Sequence, residues 1–228
     1  MLMPMRLISL LVLICLFAPG MAYALQCPNP PPPPRVMLDR IEDPVQYDFN
    51  RNRANLNAMG AKILAAQRAG STSYVGGLTN GIIASNMSTQ IQTLTSSDGM
   101  ACMWISEINI KLHYQPTVYI SREFVPGSCY HNAVMAHEQK HVGLDQALLA
   151  AFAPQLQQGI QAGAQSIGLR GPMPQGQMES VSRDLQNTME RRLNDLMDRF
   201  STDREAHQMQ IDTAQEYARV QSLCRNWP

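Results

Sequence analysis

The chain has 228 residues, of which 45% are hydrophobic and 16% charged, and its 18 basic side chains balance 18 acidic ones. This composition excludes a wholly disordered chain, and the length allows one sizeable domain or one domain with appendages. The basic residues are fifteen Arg and three Lys, scattered almost entirely singly, so they form no positive stripe that would bind nucleic acid. We therefore expect no nucleic-acid partner.

The N-terminal segment 1–24 has the pattern of a cleavable signal peptide. Met1–Arg6 carries one positive charge, and the apolar run Leu7–Phe17 is too short to span a bilayer, which needs roughly 20 residues. Ala22-Tyr23-Ala24 is the small-x-small pattern that signal peptidase reads, so cleavage is expected after Ala24. No later segment reaches spanning length, and we predict a periplasmic or secreted protein without a membrane span after signal removal.

Export decides how the cysteines are interpreted. Cys15 leaves with the signal, and Cys27, Cys102, Cys129 and Cys224 remain in a compartment that permits disulfides. No pair has the close spacing of a cysteine metal site, so disulfides are favoured. Four cysteines allow three connectivities. We favour Cys102–Cys129 with Cys27–Cys224, and the sequence leaves the other two open.

The first half of the mature chain contains three recognisable segments. Residues 25–35 form a Pro-rich lead in which Pro30–Pro34 predicts a stiff polyproline II spacer. Apolar residues recur at intervals of three and four through Asn50–Ala69, which predicts an amphipathic helix. Residues 71–99 are rich in Ser, Thr, Gly and Asn, and within them Thr89–Thr95 is predicted as a strand.

The next segments predict two strands and a helix. Trp104–Tyr114 alternates between apolar and polar residues, as a half-buried strand does, and Thr117–Ile120 is predicted as a neighbouring strand. Ser128 is a helix N-cap, so a helix is expected to begin near residue 129. This helix is predicted to end near Ala153, and Pro154 to start another one.

The C-terminal region is predicted to be helical. After a break at Gly171–Pro174, a long polar helix is expected from Gln175 to about Ile211. Its apolar seam contains Phe200 and, within about 40° of it, Met189, Leu193, Leu196 and Ile211. Thr202–Glu205 fits a capping box that would interrupt this helix, and Thr213–Glu216 fits a box that opens a final short helix.

The strongest chemical signal lies on the helix predicted after Ser128. His137-Glu138-Gln139-Lys140-His141 is an H-E-x-x-H motif, whose histidines at i and i+4 project from one helical face and can bind one zinc ion at about 2.1 Å. Glu138 lies beside the open position of such a metal, where its carboxylate can take a proton from zinc-bound water and pass it to a leaving amine. The alternative is two histidines on an exposed helical face.

With this motif the chain resembles the zincin metallopeptidases, in which the H-E-x-x-H helix lies beneath a sheet whose edge strand binds extended substrate. More narrowly, Val118–Phe124, then Gly127–Cys129 and the motif itself resemble a family of predicted secreted bacterial zinc-dependent proteases of unknown function. The resemblance covers about residues 36–224 and is specific from about 100 to 145. It implies that His137 and His141 are ligands and that Glu138 is the general base.

The motif does not identify the third zinc ligand. Metzincins place a histidine where this chain has Ala147, so the metzincin pattern is excluded. Asp145 lies eight residues from His137, about 12 Å along the helix axis, which is too far for a short carboxylate to converge on the same ion. We expect Asp145 either to orient His141 or to be an ordinary exposed acid.

In gluzincin-like zincins the third ligand comes from a later helix. On the long C-terminal helix His207 lies about 20° from Phe200 and therefore inside the apolar seam, where a polar residue needs a partner. We rank His207 first as the third metal ligand, then Asp203 and then Glu205. The alternative for His207 is a place on a solvated segment.

The sequence thus predicts an α+β fold: a small antiparallel or mixed sheet packed on the H-E-x-x-H helix, followed by a long C-terminal helical region. Residues 36–170 form the zincin-like catalytic core, and residues 171–228 complete the site. The predicted function is an exported zinc-dependent hydrolase with one Zn²⁺, a metallopeptidase that cleaves a peptide or protein substrate with zinc-activated water. The alternatives are a non-catalytic periplasmic binding or scaffold protein with a degenerate or structural metal site, and a zinc hydrolase acting on another bond.

Overall fold

A computed structural model describes residues 25–64 and 76–227, and its sheet is built around one long strand. This strand, β4, runs over Met100–Ile120, so the alternation predicted for Trp104–Tyr114 is confirmed and continues at both ends. Thr117–Ile120 is therefore the end of the same strand and not a neighbouring one. Pro116, which was expected to separate two strands, lies within β4.

The pairing of β4 explains why Pro116 is tolerated. The carbonyl of Tyr114 accepts a hydrogen bond from Asp43 N, so the peptide groups of Tyr114, and of Pro116 two residues later, face the same edge of β4. On that edge β4 pairs with one strand up to Tyr114 and with another from Thr117 onward. Pro116 lies in the gap, where no N–H donor is needed.

Four further strands pair with β4. β1 (Arg35–Glu42) and β2 (Gln46–Asp48) are parallel to it, whereas β3 (Gly77–Thr95) and β5 (Leu169–Pro174) are antiparallel. Because β3 lies along almost the whole of one edge, the other three strands share the opposite edge. The predicted α+β class is confirmed, and the described sheet contains both parallel and antiparallel pairs.

β3 is much longer than the strand predicted at Thr89–Thr95. Its first half consists mainly of small and polar residues, which by composition favour loops. Pairing with β4 over the length of β3 overrides that preference, since strand propensity depends strongly on the neighbouring strand. The break predicted at Gly171–Pro174 is likewise part of a strand, β5.

The helices follow the predicted order. α1 spans Arg53–Leu64, within the predicted 50–69, of which residues 65–69 lie outside the described part. α2 spans Cys129–Ile167, and its N-cap Ser128 accepts a hydrogen bond from His131 N, as predicted. α2 does not end near Ala153: Pro154 lies inside it, exposed to solvent. Phe152 and Leu156 on either side are buried, and their burial offsets the cost of the proline, about 3 kcal/mol.

The C-terminal helices agree with the predicted long helix and final short one. A 3₁₀ turn at Gln175–Gln177 leads into α3 (Met178–Ile211), and α4 spans Ala214–Ser222. Thr202 does not interrupt α3, because its hydroxyl donates to Asp198 O within the helix. Thr213 does cap α4, accepting a hydrogen bond from Glu216 N.

One hydrophobic core joins the regions predicted as 36–170 and 171–228. It lies between the inner face of the sheet, α2 and α3, and no boundary at residue 170 divides it. Its buried members include Ile108, Ile110 and Leu112 of β4, Leu149 and Leu156 of α2, and Leu185, Met189 and Phe200 of α3. The phenyl rings of Phe152 and Phe200 stack with their centroids 4.3 Å apart. The C-terminal region is thus held firmly against the helix that carries the motif.

The disulfides are Cys27–Cys102 and Cys129–Cys224, so the favoured pairing is wrong. Cys102 lies near the start of β4, whereas Cys129 opens α2 just after the end of that strand, and 18 residues of strand separate the two ends by roughly 60 Å. Two disulfides are compatible with an oxidising compartment. The predicted signal peptide, residues 1–24, lies outside the described residues. Among the described helices, none has the length and apolar character needed to cross a bilayer.

Candidate metal centre

α2 presents both histidines of the motif on one face. His137 and His141 are 5% and 8% exposed, and their ring centroids lie 5.1 Å apart. Each Nε2 atom lies 3.2 Å from the same oxygen, Oδ1 of Asp212. The three side chains form a group that could hold a metal ion, since one ligand atom from each lies within 4.8 Å of the others.

The distances in this group suit a tetrahedral ion. An ion with ligand distances of about 2.0–2.1 Å separates its ligand atoms by about 3.3–3.4 Å, the edge of the tetrahedron. The two Nε2···Oδ1 separations of 3.2 Å are close to that edge. Two imidazoles and one carboxylate are ligands that zinc accepts, and three protein ligands leave a fourth position open. The residues present therefore fit a zinc ion.

The outer nitrogen of each ring has its own acceptor. His141 Nδ1 lies 2.5 Å from Gln208 Oε1, and His137 Nδ1 lies 3.3 Å from Glu216 Oε1. Because both oxygens accept hydrogen bonds, each Nδ1 carries a hydrogen, and Nε2 is the atom that can take either a proton or a metal. Both rings thus present the same nitrogen to the centre.

The charges around the group favour protonated imidazoles when no metal is bound. Burial lowers the pKa of His141, but the hydrogen bond from its ring to Asp212 and the charge of that carboxylate outweigh burial and raise the pKa to about 9. His137 shows the same balance, with Asp212, Glu138 and Glu216 raising its pKa against burial. Burial raises the pKa of Asp212, but the two histidines more than reverse this and hold it well below its usual range. A metal ion would displace protons from these rings.

Glu138 lies beside this group, buried between α2 and β3. It is 5% exposed, and burial raises the pKa of its carboxyl. The hydroxyl of Thr79 in β3 donates to Glu138 Oε2 over 2.9 Å. A Cβ at Gly77 would lie 2.7 Å from Oε1, so β3 approaches the carboxylate closely only because residue 77 is glycine. The sequence indicated Glu138 as a candidate site residue but neither of these β3 partners.

α4 brings two more polar side chains to the group. The Tyr217 hydroxyl donates to Asp212 Oδ1 over 2.9 Å, and its ring centroid lies 5.6 Å from that of His137. Burial and the nearby Asp212 carboxylate raise the pKa of Tyr217, so its hydroxyl stays protonated at neutral pH. Glu216 also accepts hydrogen bonds from Lys140 and Arg219. Neither Glu216 nor Tyr217 was among the residues predicted for the site.

His207, predicted as the third ligand, is not brought to the two histidines of the motif. Its side chain is exposed, and its Nδ1 donates to the carbonyl of Asp203 over 2.7 Å. Asp203 and Glu205, the other candidates, are not in the group either, and the carboxylate that joins the histidines belongs to Asp212, the C-cap of α3. The third member of this group thus comes from the end of α3, but it is not one of the three residues that were ranked.

The packing of α3 on α2 explains this difference. His207 shares with Phe200 a line parallel to the helix axis, whereas helices pack along rows of residues four apart, inclined about 26° to the axis. The row from Phe200 passes through Arg204 and Gln208 to Asp212, and each of the last three contacts α2. Following steps of four from Phe200 would have led to Asp212.

Asp145 is not an exposed acid. Its carboxylate is fully buried and accepts hydrogen bonds from Arg204, Tyr114 and Gln208. It does not contact the ring of His141 directly, and the two side chains are connected through Gln208, which contacts both.

Comparison with known proteins assigns no family. No family model, no curated protein and no solved structure matches the chain. What the structure shows is a group of two histidines and one aspartate with a buried glutamate beside it. Its function has to be argued from the geometry and chemistry of these residues.

Proposed function

We propose that this protein is an exported zinc-dependent hydrolase, a zincin-type metallopeptidase that cleaves peptide bonds. The observation that carries the proposal is the convergence of His137, His141 and Asp212 beside the buried carboxylate of Glu138. Structural zinc sites have four protein ligands, whereas catalytic sites have three and leave one position for water or substrate. The Asp212 side chain is 33% exposed, so the group is reached by solvent on one side.

Glu138 has the properties of a general base in this reaction. A bound zinc ion would lower the pKa of a water molecule and polarise the carbonyl of the substrate. Burial raises the pKa of Glu138, so this carboxylate accepts a proton from the attacking water more readily than an exposed one and can return it to the leaving amine. The Thr79 hydroxyl holds one of its oxygens and so fixes the orientation of the carboxylate.

Tyr217 is placed to stabilise negative charge. Its hydroxyl lies on the side of Asp212 that faces the two histidines, as its bond to Oδ1 indicates. In the proposed reaction this hydroxyl turns its single hydrogen from Asp212 to the oxyanion, which lowers the energy of the transition state. Before substrate binds, the same hydrogen orients the proposed third ligand, Asp212.

The free edge of β3 favours an extended peptide as substrate. The Gly81 carbonyl accepts a hydrogen bond from Arg204 and therefore points away from β4. Peptide groups alternate along a strand, so those of Gly77 and Thr79 face the same edge, on which the described residues place no further strand. A peptide that pairs with this edge would pass Thr79, whose side chain contacts Glu138.

Metal analysis and a peptidase assay test this function. We expect one zinc per chain in the purified protein and a rise in its melting temperature when zinc is added to metal-free protein. The E138Q variant should bind zinc equally well and lose hydrolysis of an unstructured protein substrate such as casein. Equal hydrolysis by E138Q would exclude the mechanism, and a lack of stoichiometric zinc would favour the scaffold alternative.

A further inference from the structure

The last turn of α3 holds the imidazole ring of His141 at both nitrogens. Gln208 Oε1 lies 2.5 Å from Nδ1, and Asp212 Oδ1 lies 3.2 Å from Nε2. These two residues are four apart, so they lie on one face of the helix about 6 Å apart along its axis, and the ring fits between them. The ring cannot rotate without losing both partners.

The amide of Gln208 has only one favourable orientation. Its Nε2 donates to Asp145 Oδ1 over 2.6 Å and to the carbonyl of His141 over 3.2 Å. Both partners are acceptors, so the amide nitrogen must face them and the amide oxygen must face His141 Nδ1. A reversed amide would set its oxygen against the buried Asp145 carboxylate and leave the ring hydrogen without an acceptor.

Asp145 is itself held from two directions. Arg204 binds both of its oxygens, with distances of 2.6 and 2.7 Å, and the Tyr114 hydroxyl donates to it over 3.1 Å. The same guanidinium reaches the Gly81 carbonyl of β3 over 2.9 Å. Gly81 leaves room for this contact, since a Cβ there would collide with Asp145 Oδ2. A continuous series of contacts therefore runs from β3 through Arg204, Asp145 and Gln208 to His141.

We propose that Gln208 is a positioning residue for the metal centre, which selects Nδ1 of His141 as the protonated nitrogen and so presents Nε2 to the metal. The Asp145–Arg204 pair sets the orientation of Gln208. The inference rests on the proposed zinc site, but it assigns a role to a residue that touches neither metal nor substrate. It also gives the buried ion pair a function besides stability.

A glutamine-to-methionine pair of variants tests this role. Gln208→Met keeps the length of the side chain and removes both its acceptor and its donor. Gln210→Met is the matched control, because Gln210 is an exposed residue of the same helix turn. Zinc affinity is measured on metal-free full-length mature protein by competition with a chelator. The Co²⁺-substituted protein is compared by its visible absorption, which reports the geometry of the ligands.

We expect Gln208→Met to bind zinc about 10–100-fold more weakly and to change the Co²⁺ spectrum, with Gln210→Met matching the wild type in both. A fall in melting temperature with unchanged zinc affinity and Co²⁺ spectrum would show a merely structural role and overturn the inference. If Gln208→Met does not fold, Gln208→Asn replaces it, since its amide is one methylene too short to reach both His141 and Asp145. If the wild-type protein binds no zinc, the proposed function is overturned as well. If the wild-type protein binds zinc and both Gln208 variants bind it equally tightly, only the role of Gln208 is overturned.

Discussion

The disulfide Cys129–Cys224 ties the C-terminal residues of the site to the helix that carries the motif, and its removal should open the metal centre. Cys129 is the first residue of α2, and Cys224 follows α4, which delivers Glu216 and Tyr217. Besides the disulfide, the segment after α3 is held on α2 by a small cluster around Val220, by contacts to the Tyr130 side chain and by the hydrogen bonds that Lys140 and His137 donate to Glu216. Several of these are polar contacts at a partly exposed surface, whereas the disulfide is a covalent restraint on the segment. We expect Cys129→Ser/Cys224→Ser to bind zinc about 10–100-fold more weakly, as when residues that orient metal ligands are lost.

The second disulfide provides a matched control. The two bonds close loops with sequence separations of 75 and 95 residues, for which chain entropy gives about 4.5 and 4.7 kcal/mol of stabilisation. Both double serine variants should therefore lose nearly the same global stability, measured by urea unfolding. Only the 129/224 variant should lose zinc affinity, measured by chelator competition at a temperature where circular dichroism shows both variants folded. Equal zinc affinity in the two variants would refute the view that this disulfide holds the site together.

Three further predictions follow from the site. Asp212→Ala should weaken zinc binding more than about 100-fold, because it removes the proposed third ligand, while His207→Ala should leave the chelator-competition constant unchanged; the opposite ranking would favour His207 as third ligand. The pKa of His141 is raised to about 9, so protonated His141 stabilises the folded metal-free protein. This contribution to the free energy of unfolding is fully present below pH 6.5 and is lost as the pH rises through 9. Melting temperatures of metal-free protein should fall over that range while apparent zinc affinity rises, since zinc displaces the proton; parallel trends would contradict this. Gly77→Ala should lower kcat at least about tenfold with zinc retained, because its Cβ would lie 2.6 Å from Val134 Cγ1 and 2.7 Å from Glu138 Oε1 and so displace both side chains, and an unchanged kcat would argue against Glu138 as base.

Local sequence signals predicted the parts of the site that a few neighbouring residues determine. The i, i+4 spacing placed His137 and His141 on one helical face, and the caps Ser128 and Thr213 marked the starts of α2 and α4. Each of these features depends on backbone geometry within one or two turns, so it can be read without knowledge of the remaining chain.

Tertiary structure decided which distant residues meet the motif. Asp212 reaches His141 from 71 positions away, and Thr79 reaches Glu138 from 59, through the packing of α3 on α2 and of β3 against α2. Pro116 and Pro154 were expected to end a strand and a helix, but β4 and α2 continue through them. Pro116 is tolerated because it lies between the two strands that pair with that edge of β4. The cost of Pro154 in α2 is offset by the burial of the apolar residues on either side of it. The two-histidine motif and its place on a helix were thus predictable from the sequence alone. The proposed third ligand, the disulfide pairs and the β3 partners of Glu138 depended on contacts between segments far apart in the chain, whose free energy is gained only when the whole core forms.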